Sequence, residues 1–207
     1  VCGIVVSIGA AVTSFAVGDT VFGITNARFT GGYAPYVAAV ADMLAIKPKS
    51  LSAIEAASVS VVAVTAEQML FYHAQLGRGH TVFVHGGAGN VGAYAVQLAR
   101  NAGIRVTASA HGKDFEYLLG LRKERVVDHH DVRFSDLYQS ADAVIDTAGG
   151  ETQARLFDLI KPGGAIVSAV SPPDQQLAQQ RGVRAVFFLV NVNDGTVSPV
   201  GRDVRRW

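Results

Sequence analysis

The segment Val82-Phe83-Val84-His85-Gly86-Gly87-Ala88-Gly89-Asn90-Val91-Gly92 sets Gly87, Gly89 and Gly92 at the spacing G-x-G-x-x-G, between an apolar run and the helical stretch 93–99. A chain that leaves a strand, turns sharply, passes its backbone against a pyrophosphate and departs as a closely packed helix has no room for a Cβ at those three positions. The helix that follows would aim its first free N–H groups at phosphate oxygens. The chemistry implied is dinucleotide binding. Rival motifs fail on single residues. Gly87 and Gly92 also have P-loop spacing, but Ala93 stands where the phosphate-binding Lys belongs, which argues against nucleoside triphosphate hydrolysis. There is no G-x-S-x-G elbow, which disfavours an α/β-hydrolase. None of the six tyrosines has a Lys four residues later, so the short-chain dehydrogenase pairing is set aside.

About 20 residues beyond the glycines, where an Asp or Glu would hold the ribose diol of NAD, the chain reads Ser109-Ala110-His111-Gly112-Lys113. No carboxylate occurs through residue 113, and Ser109, His111 and Lys113 can each donate to a 2′-phosphate. NADP(H) is the expected cofactor. Asp114 follows directly, and Lys113-Asp114 as ordinary solvated charges at a helix start stays open. Asp128-His129-His130-Asp131 contains metal-binding residue types, but adjacent side chains diverge and no third ligand follows, so a solvated loop is preferred and no metal is assigned. His85 reads as a packed, hydrogen-bonded strand end. Phe187-Phe188 reads as core packing before it reads as a substrate wall. No residue is singled out as a catalytic acid or base.

The elements that must carry these residues change character along the chain. Residues 1–50 are short apolar runs punctuated by Gly9, Gly18-Asp19, Gly23, Gly31-Gly32 and Pro48, an all-β texture. Residues 51–76 are Ala-rich and helical, opened by Ser52 and Glu55 at capping-box spacing and stopped by Gly77. Residues 51–78 therefore connect two domains. Strands at 81–85, 105–108, 125–127, 143–146, 165–170 and 184–190 then alternate with helices, which implies a doubly wound α/β domain over 79–190. Residues 191–207 show neither period and read as an irregular tail.

Composition narrows the partner. With 49% hydrophobic residues, 17% charged residues and a net charge of +1, the surface gives no attraction for nucleic acid or an anionic membrane, and a small molecule is favoured. Cys2 is the only cysteine, so no intramolecular disulfide forms and a cytoplasmic setting is expected. The apolar opening 1–8 lacks a basic flank and is broken by Gly3 and Gly9, so it reads as a strand and not as a leader or a span.

Further motifs accompany the glycine loop: Val17-Gly18-Asp19-Thr20-Val21-Phe22-Gly23, Gly31-Gly32-Tyr33-Ala34-Pro35-Tyr36-Val37, Val64-Thr65-Ala66, Asp146-Thr147-Ala148-Gly149-Gly150 and Lys161-Pro162-Gly163-Gly164. Together, over about residues 1–190, they resemble the zinc-independent quinone oxidoreductase, or zeta-crystallin-like, branch of the medium-chain dehydrogenase/reductase superfamily. The resemblance implies a GroES-like β-rich domain followed by a Rossmann domain, with substrate and nicotinamide meeting between them. It places Thr65 near the cofactor, Gly89, Asn90 and Val91 along the pyrophosphate, and Ser109 and Lys113 near the adenosine phosphate. Ala148, Ala169 and Phe188 would border the nicotinamide. Family chains begin before the segment matching Val1 and return to the first domain after the Rossmann strands, so the GroES-like part is expected to be partial here. Pro35, Glu67 and His129 depart from common family residues. The expectation is an NADPH-dependent enzyme that passes hydride to a quinone or an α,β-unsaturated carbonyl without metal, with a homodimer admissible. The alternatives are a catalytically incomplete NADP(H)-binding remnant or non-enzymatic partner, and an enoyl reductase module of a synthase.

Overall fold

Apolar side chains at every second position of the later strands face two different cores. Val82, Val84, Val106, Ala108, Ile145 and Val167 enter one, and Phe83, Val144 and Ile166 enter the other. A strand buried on both faces belongs inside a parallel sheet covered by helices. The computed structural model describes residues 1–121, 125–128 and 141–192 of the chain. It divides into two compact units, Thr65–Leu189 and Val1–Val64 with residues 190–192. The Rossmann unit thus takes in residues 65–78, which the composition shift had grouped with the connection.

In that unit six parallel strands, β4 (Thr81–His85), β5 (Arg105–Ala110), β6 (Arg125–Asp128), β7 (Ala141–Asp146), β8 (Ile160–Ser168) and β9 (Arg184–Phe187), lie in the order β6-β5-β4-β7-β8-β9. This is the doubly wound dinucleotide-fold order, which reverses between β4 and β7 and opens a crevice at their C-terminal ends. Helix α2 (Asn90–Asn101) and the short α3 (Phe115–Gly120) cover one face through Ala95, Val96, Leu98 and Leu118. Leu156 of α4 (Gln153–Leu156), the turn Phe157–Leu159 and Ala178 of α5 (Gln175–Arg181) cover the other.

The first unit holds a three-stranded antiparallel sheet, β1 (Cys2–Ile4), β2 (Thr20–Gly23) and β3 (Leu44–Ile46). The opening strand is shorter than the apolar run 1–8 suggests, because Val6 and Ile8 are exposed and lie outside the ladder. Helix α1 (Ala53–Glu67) starts as expected: Glu55 Oε2 accepts the Ser52 N–H at 2.7 Å and Ser52 Oγ accepts the Glu55 N–H at 3.2 Å. Hydrogen bonds to the carboxyl from the Ser52 backbone, and secondarily from its hydroxyl, hold Glu55 below its ordinary range. The helix continues through a π-helical turn, Gln68–His73, before it stops. The span Ala53–His73 has the length and mean hydropathy, 1.3, of a membrane helix, but 56% of its apolar window is buried within the protein. That burial marks a core helix.

Several strand boundaries differ from expectation. β5 runs on through Ser109 and Ala110, β9 stops at Phe187, and β8 begins at Ile160, upstream of Pro162-Gly163-Gly164. A Pro-Gly-Gly run reads as a turn. Here it enters the sheet because a side chain at Gly164 would lie 2.8 Å from the Asp142 carbonyl, so the close approach to β7 requires glycine.

Candidate functional site

The glycine loop leaves β4 at the reversal point of the sheet, and the backbone there requires glycine at 86, 87 and 92, whereas a Cβ at Gly89 would meet only the Gly86 carbonyl at 3.3 Å, so the expected lack of room there is not seen. Gly86 has φ +79°, a side chain at Gly87 would meet Ala108 Cβ at 2.7 Å, and one at Gly92 would meet the Gly86 carbonyl at 2.1 Å. Gly89 is the exposed N-cap of α2 and no side chain caps that end. The first-turn N–H groups of α2, from Asn90 through Gly92, are therefore left for an anion in front of them, which is the cradle a pyrophosphate fits. Asn90 is exposed and Val91 half-buried, with Val91 packed against the core beneath.

Behind the loop lies a row of polar side chains. Ser109, His85, Asp146 and Ser168 are direct register partners on β5, β4, β7 and β8, and all are at most 3% exposed. His85 Nδ1 and Ser109 Oγ share a hydrogen bond at 2.7 Å, and Ser109 Oγ accepts the Gly86 N–H at 3.3 Å. Ser109 thus differs from the expected donor to a 2′-phosphate. Strand alternation turns its hydroxyl inward, where it holds the start of the loop. His111 and the expected site residue Lys113 are exposed just beyond β5, Lys113 in the turn Gly112–Asp114 and His111 at its N-cap. Asp128, at the end of β6, reaches the same turn, its Oδ2 3.2 Å from the position of a Cβ on Gly112. A search for carboxylates confined to residues through 113 misses it, because it arrives from the neighbouring strand.

Asp146 is the best-connected side chain of the row. Its Oδ1 accepts the Ala148 and Gly149 N–H groups at 3.2 and 2.8 Å, and its Oδ2 accepts from Gln153 Nε2 at 2.8 Å and Ser168 Oγ at 3.1 Å. Ser168 Oγ accepts in turn from the Val170 and Ser171 N–H groups at 3.2 and 3.3 Å. Gln153 Nε2 also reaches Ser171 O and Oγ, both at 3.1 Å. Thr147 Oγ1 donates to the His85 carbonyl at 2.7 Å, tying the loop after β7 to the glycine loop. Sequence reading had treated Asp146 only as a family marker.

Gly87, Gly89, Asn90, Val91, Gly92, Ser109, Lys113, Ala148, Ala169 and Phe188 all follow or end strands at this one edge of the sheet. Ala148 is exposed, Ala169 is half-buried, and the half-buried Phe188 stacks on His73 with ring centres 4.3 Å apart. Burial, with the Arg184 charge, lowers the His73 imidazole below its ordinary range. Thr65 is buried in α1, next to Ala66 of the sheet's first core. Among the described residues no group of three His, Cys, Asp or Glu side chains is placed to hold a metal. His129, His130 and Asp131 lie outside the described residues, as do residues 193–207 of the expected tail. The first unit contains a concavity of about 500 Å³ lined by apolar side chains such as Ile4, Val6, Phe15 and Tyr36.

Comparison with known proteins adds a likeness over nearly the whole chain. The family described as zinc-binding dehydrogenase matches residues 90–192. Mycoketide-CoA synthase of Mycobacterium tuberculosis is 34% identical over 90% of this chain and 5% of its own. The 2-methylene-furan-3-one reductase of Solanum lycopersicum is 33% identical over 84% of this chain and 47% of its own. The solved quinone oxidoreductase of Coxiella burnetii superposes with a TM-score of 0.89 at 31% identity, covering 99% of this chain and 66% of that one. The chain therefore spans less than two thirds of the length of these three proteins.

Proposed function

The chain belongs to the zinc-independent quinone oxidoreductase branch of the medium-chain dehydrogenase/reductase superfamily, and from that premise we propose that it binds NADP(H) and serves reduction of a quinone or an α,β-unsaturated carbonyl. The observation that carries this reading is the uncapped α2 N-terminus behind the required Gly86, Gly87 and Gly92, at the point where strand order reverses. Bound there, the reduced nicotinamide would supply a hydride to the acceptor carbon, with a proton from solvent completing the product. The protein's part is placement: Asn90 to Gly92 present N–H groups to the pyrophosphate, Lys113 meets the 2′-phosphate as a point charge, and Ala148, Ala169 and Phe188 border the reacting ring. The reaction is proposed to need no metal and no protein acid, in a cytoplasmic protein.

Asp128 motivates a second reading. A carboxylate beside the turn that follows β5 is the type of group that holds a ribose diol, which would favour NAD(H). Titration with NADPH and NADH separates the two, and Lys113→Glu sharpens it. NADPH binding more tightly than NADH, with the preference lost in the variant, supports the first reading. Equal or tighter NADH binding overturns it. Turnover is read as NADPH oxidation with a quinone or an enone. The synthase likeness keeps an enoyl reductase module as the competing setting, distinguished by preference for an enoyl thioester over a free quinone. Binding without turnover on any of them would support a non-catalytic, cofactor-binding role.

A further inference from the structure

Asp146 is a fully buried carboxylate that accepts from four neutral donors, the Ala148 and Gly149 N–H groups, Gln153 Nε2 and Ser168 Oγ. A parallel strand end needs no such group to pack, and a buried carboxylate is retained at a cost unless every lone pair is used. Here the partners have a pattern. Ala148, Gly149 and Gln153 belong to the segment after β7, and Ser168 controls the segment after β8 by accepting from Val170 and Ser171. Gln153 closes the circuit by donating to Ser171. The acceptor capacity of one side chain is thus spent on joining two loops.

We propose that Asp146, through Gln153 and Ser168, is a positioning residue that locks the turns 147–150 and 169–171 into one ledge and so fixes Ala148 and Ala169 relative to each other. This rests on the reading that those two residues border the nicotinamide. The ledge would hold the ring half of the cofactor, whereas the adenosine half is held by the glycine loop and the turn after β5. Locking two loops before the ligand arrives lowers the ordering cost of binding.

The test uses the wild-type protein, Asp146→Asn and Gln153→Ala, with NADPH and its adenosine half 2′,5′-ADP as ligands, or NADH and ADP if the wild type prefers those. Asn at 146 keeps one oxygen for the Ala148 and Gly149 N–H groups but turns an NH₂ toward Gln153 Nε2 and Ser168 Oγ, so it removes the acceptor that those two side chains share. Affinity for the whole cofactor is expected to fall about tenfold in Asp146→Asn, and by less in Gln153→Ala. The rise in nicotinamide fluorescence on binding should shrink, and affinity for the adenosine half should stay within about twofold. Parallel loss of both ligands, or no change in either variant, overturns the proposal. Should Asp146→Asn fail to fold, Gln153→Ala decides alone. A wild type that binds neither dinucleotide overturns the cofactor reading and this inference with it, an outcome distinct from variants that behave like a binding-competent wild type.

Discussion

The two ends of the six-stranded sheet solve the same problem differently. At the C-terminal end, Asp146 is fully buried and balanced by N–H and O–H dipoles. At the N-terminal end, Asp142 forms an ion pair with Lys161, whose side chain is 48% exposed, and accepts the Thr81 N–H at 2.8 Å. Arg105 completes that edge by donating to Thr81 Oγ1. Each end also has a glycine that cannot carry a Cβ, Gly92 at one and Gly164 at the other. The exposed end can use screened charge to close a scaffold, while the end proposed to receive the cofactor phosphates keeps its carboxylate inside and leaves the α2 N–H groups facing outward.

The largest effect is expected from the paired glycines. Gly92→Ala drives a Cβ to 2.1 Å from the Gly86 carbonyl and should cost about 3 kcal/mol or more and abolish dinucleotide binding. Gly164→Ala meets Ile160 Cγ2 at 2.6 Å and the Asp142 carbonyl at 2.8 Å; a loss of about 1–3 kcal/mol is expected, with binding retained at temperatures where it is folded. Thermal unfolding with and without cofactor reads both. Equal loss of affinity in the two variants would erase the functional distinction between the ends.

Removing the carboxylates comes next. Asp146→Ala leaves its buried donors without their acceptor, and denaturant unfolding should show a loss of about 2–4 kcal/mol. Asp142→Ala should lose about 1 kcal/mol, since water reaches its partner Lys161. The reverse ranking would mean that the buried network is dispensable.

The smallest effect is a pH dependence. Burial pushes the Asp142 carboxyl up, but the hydrogen bonds from Lys161 and Thr81, with the Lys161 and His80 charges, outweigh it and hold the group below its ordinary value. A depressed carboxyl stabilises the fold above its unfolded pKa of about 3.9, and that increment disappears as pH falls through the lower folded value. Lys161→Met should therefore lose under about 1 kcal/mol near neutrality and show a flatter stability profile below about pH 4. An unchanged acid limb would show that the pair contributes nothing.

Legibility in the sequence follows how local each constraint is. The glycine loop and the α/β alternation were readable because turn geometry and strand burial dictate residue type within a few positions. The capping box at Ser52 and Glu55 is equally local. The inward turn of Ser109 was not readable, since which face a side chain takes depends on where the strand ends. Asp146 was hidden for another reason: Ser168 is 22 residues away, and only strand pairing brings it within reach. Asp128 reached the turn after β5 by the same route.

The polar row Ser109, His85, Asp146 and Ser168 has a consequence for how the sheet assembles. Strands made of Val, Ile and Ala on both faces can slide past one another with little penalty, because every register buries similar groups. Here the four central strands each carry a polar residue in the same tier. A slip of one position would turn an imidazole or a carboxylate to the opposite face, lined on these strands by Val82, Val84, Val106, Ala108, Ile145 and Val167, without its partner, at a cost of several kcal/mol. The tier acts as an alignment mark, letting the chain reject misregistered sheets while it folds.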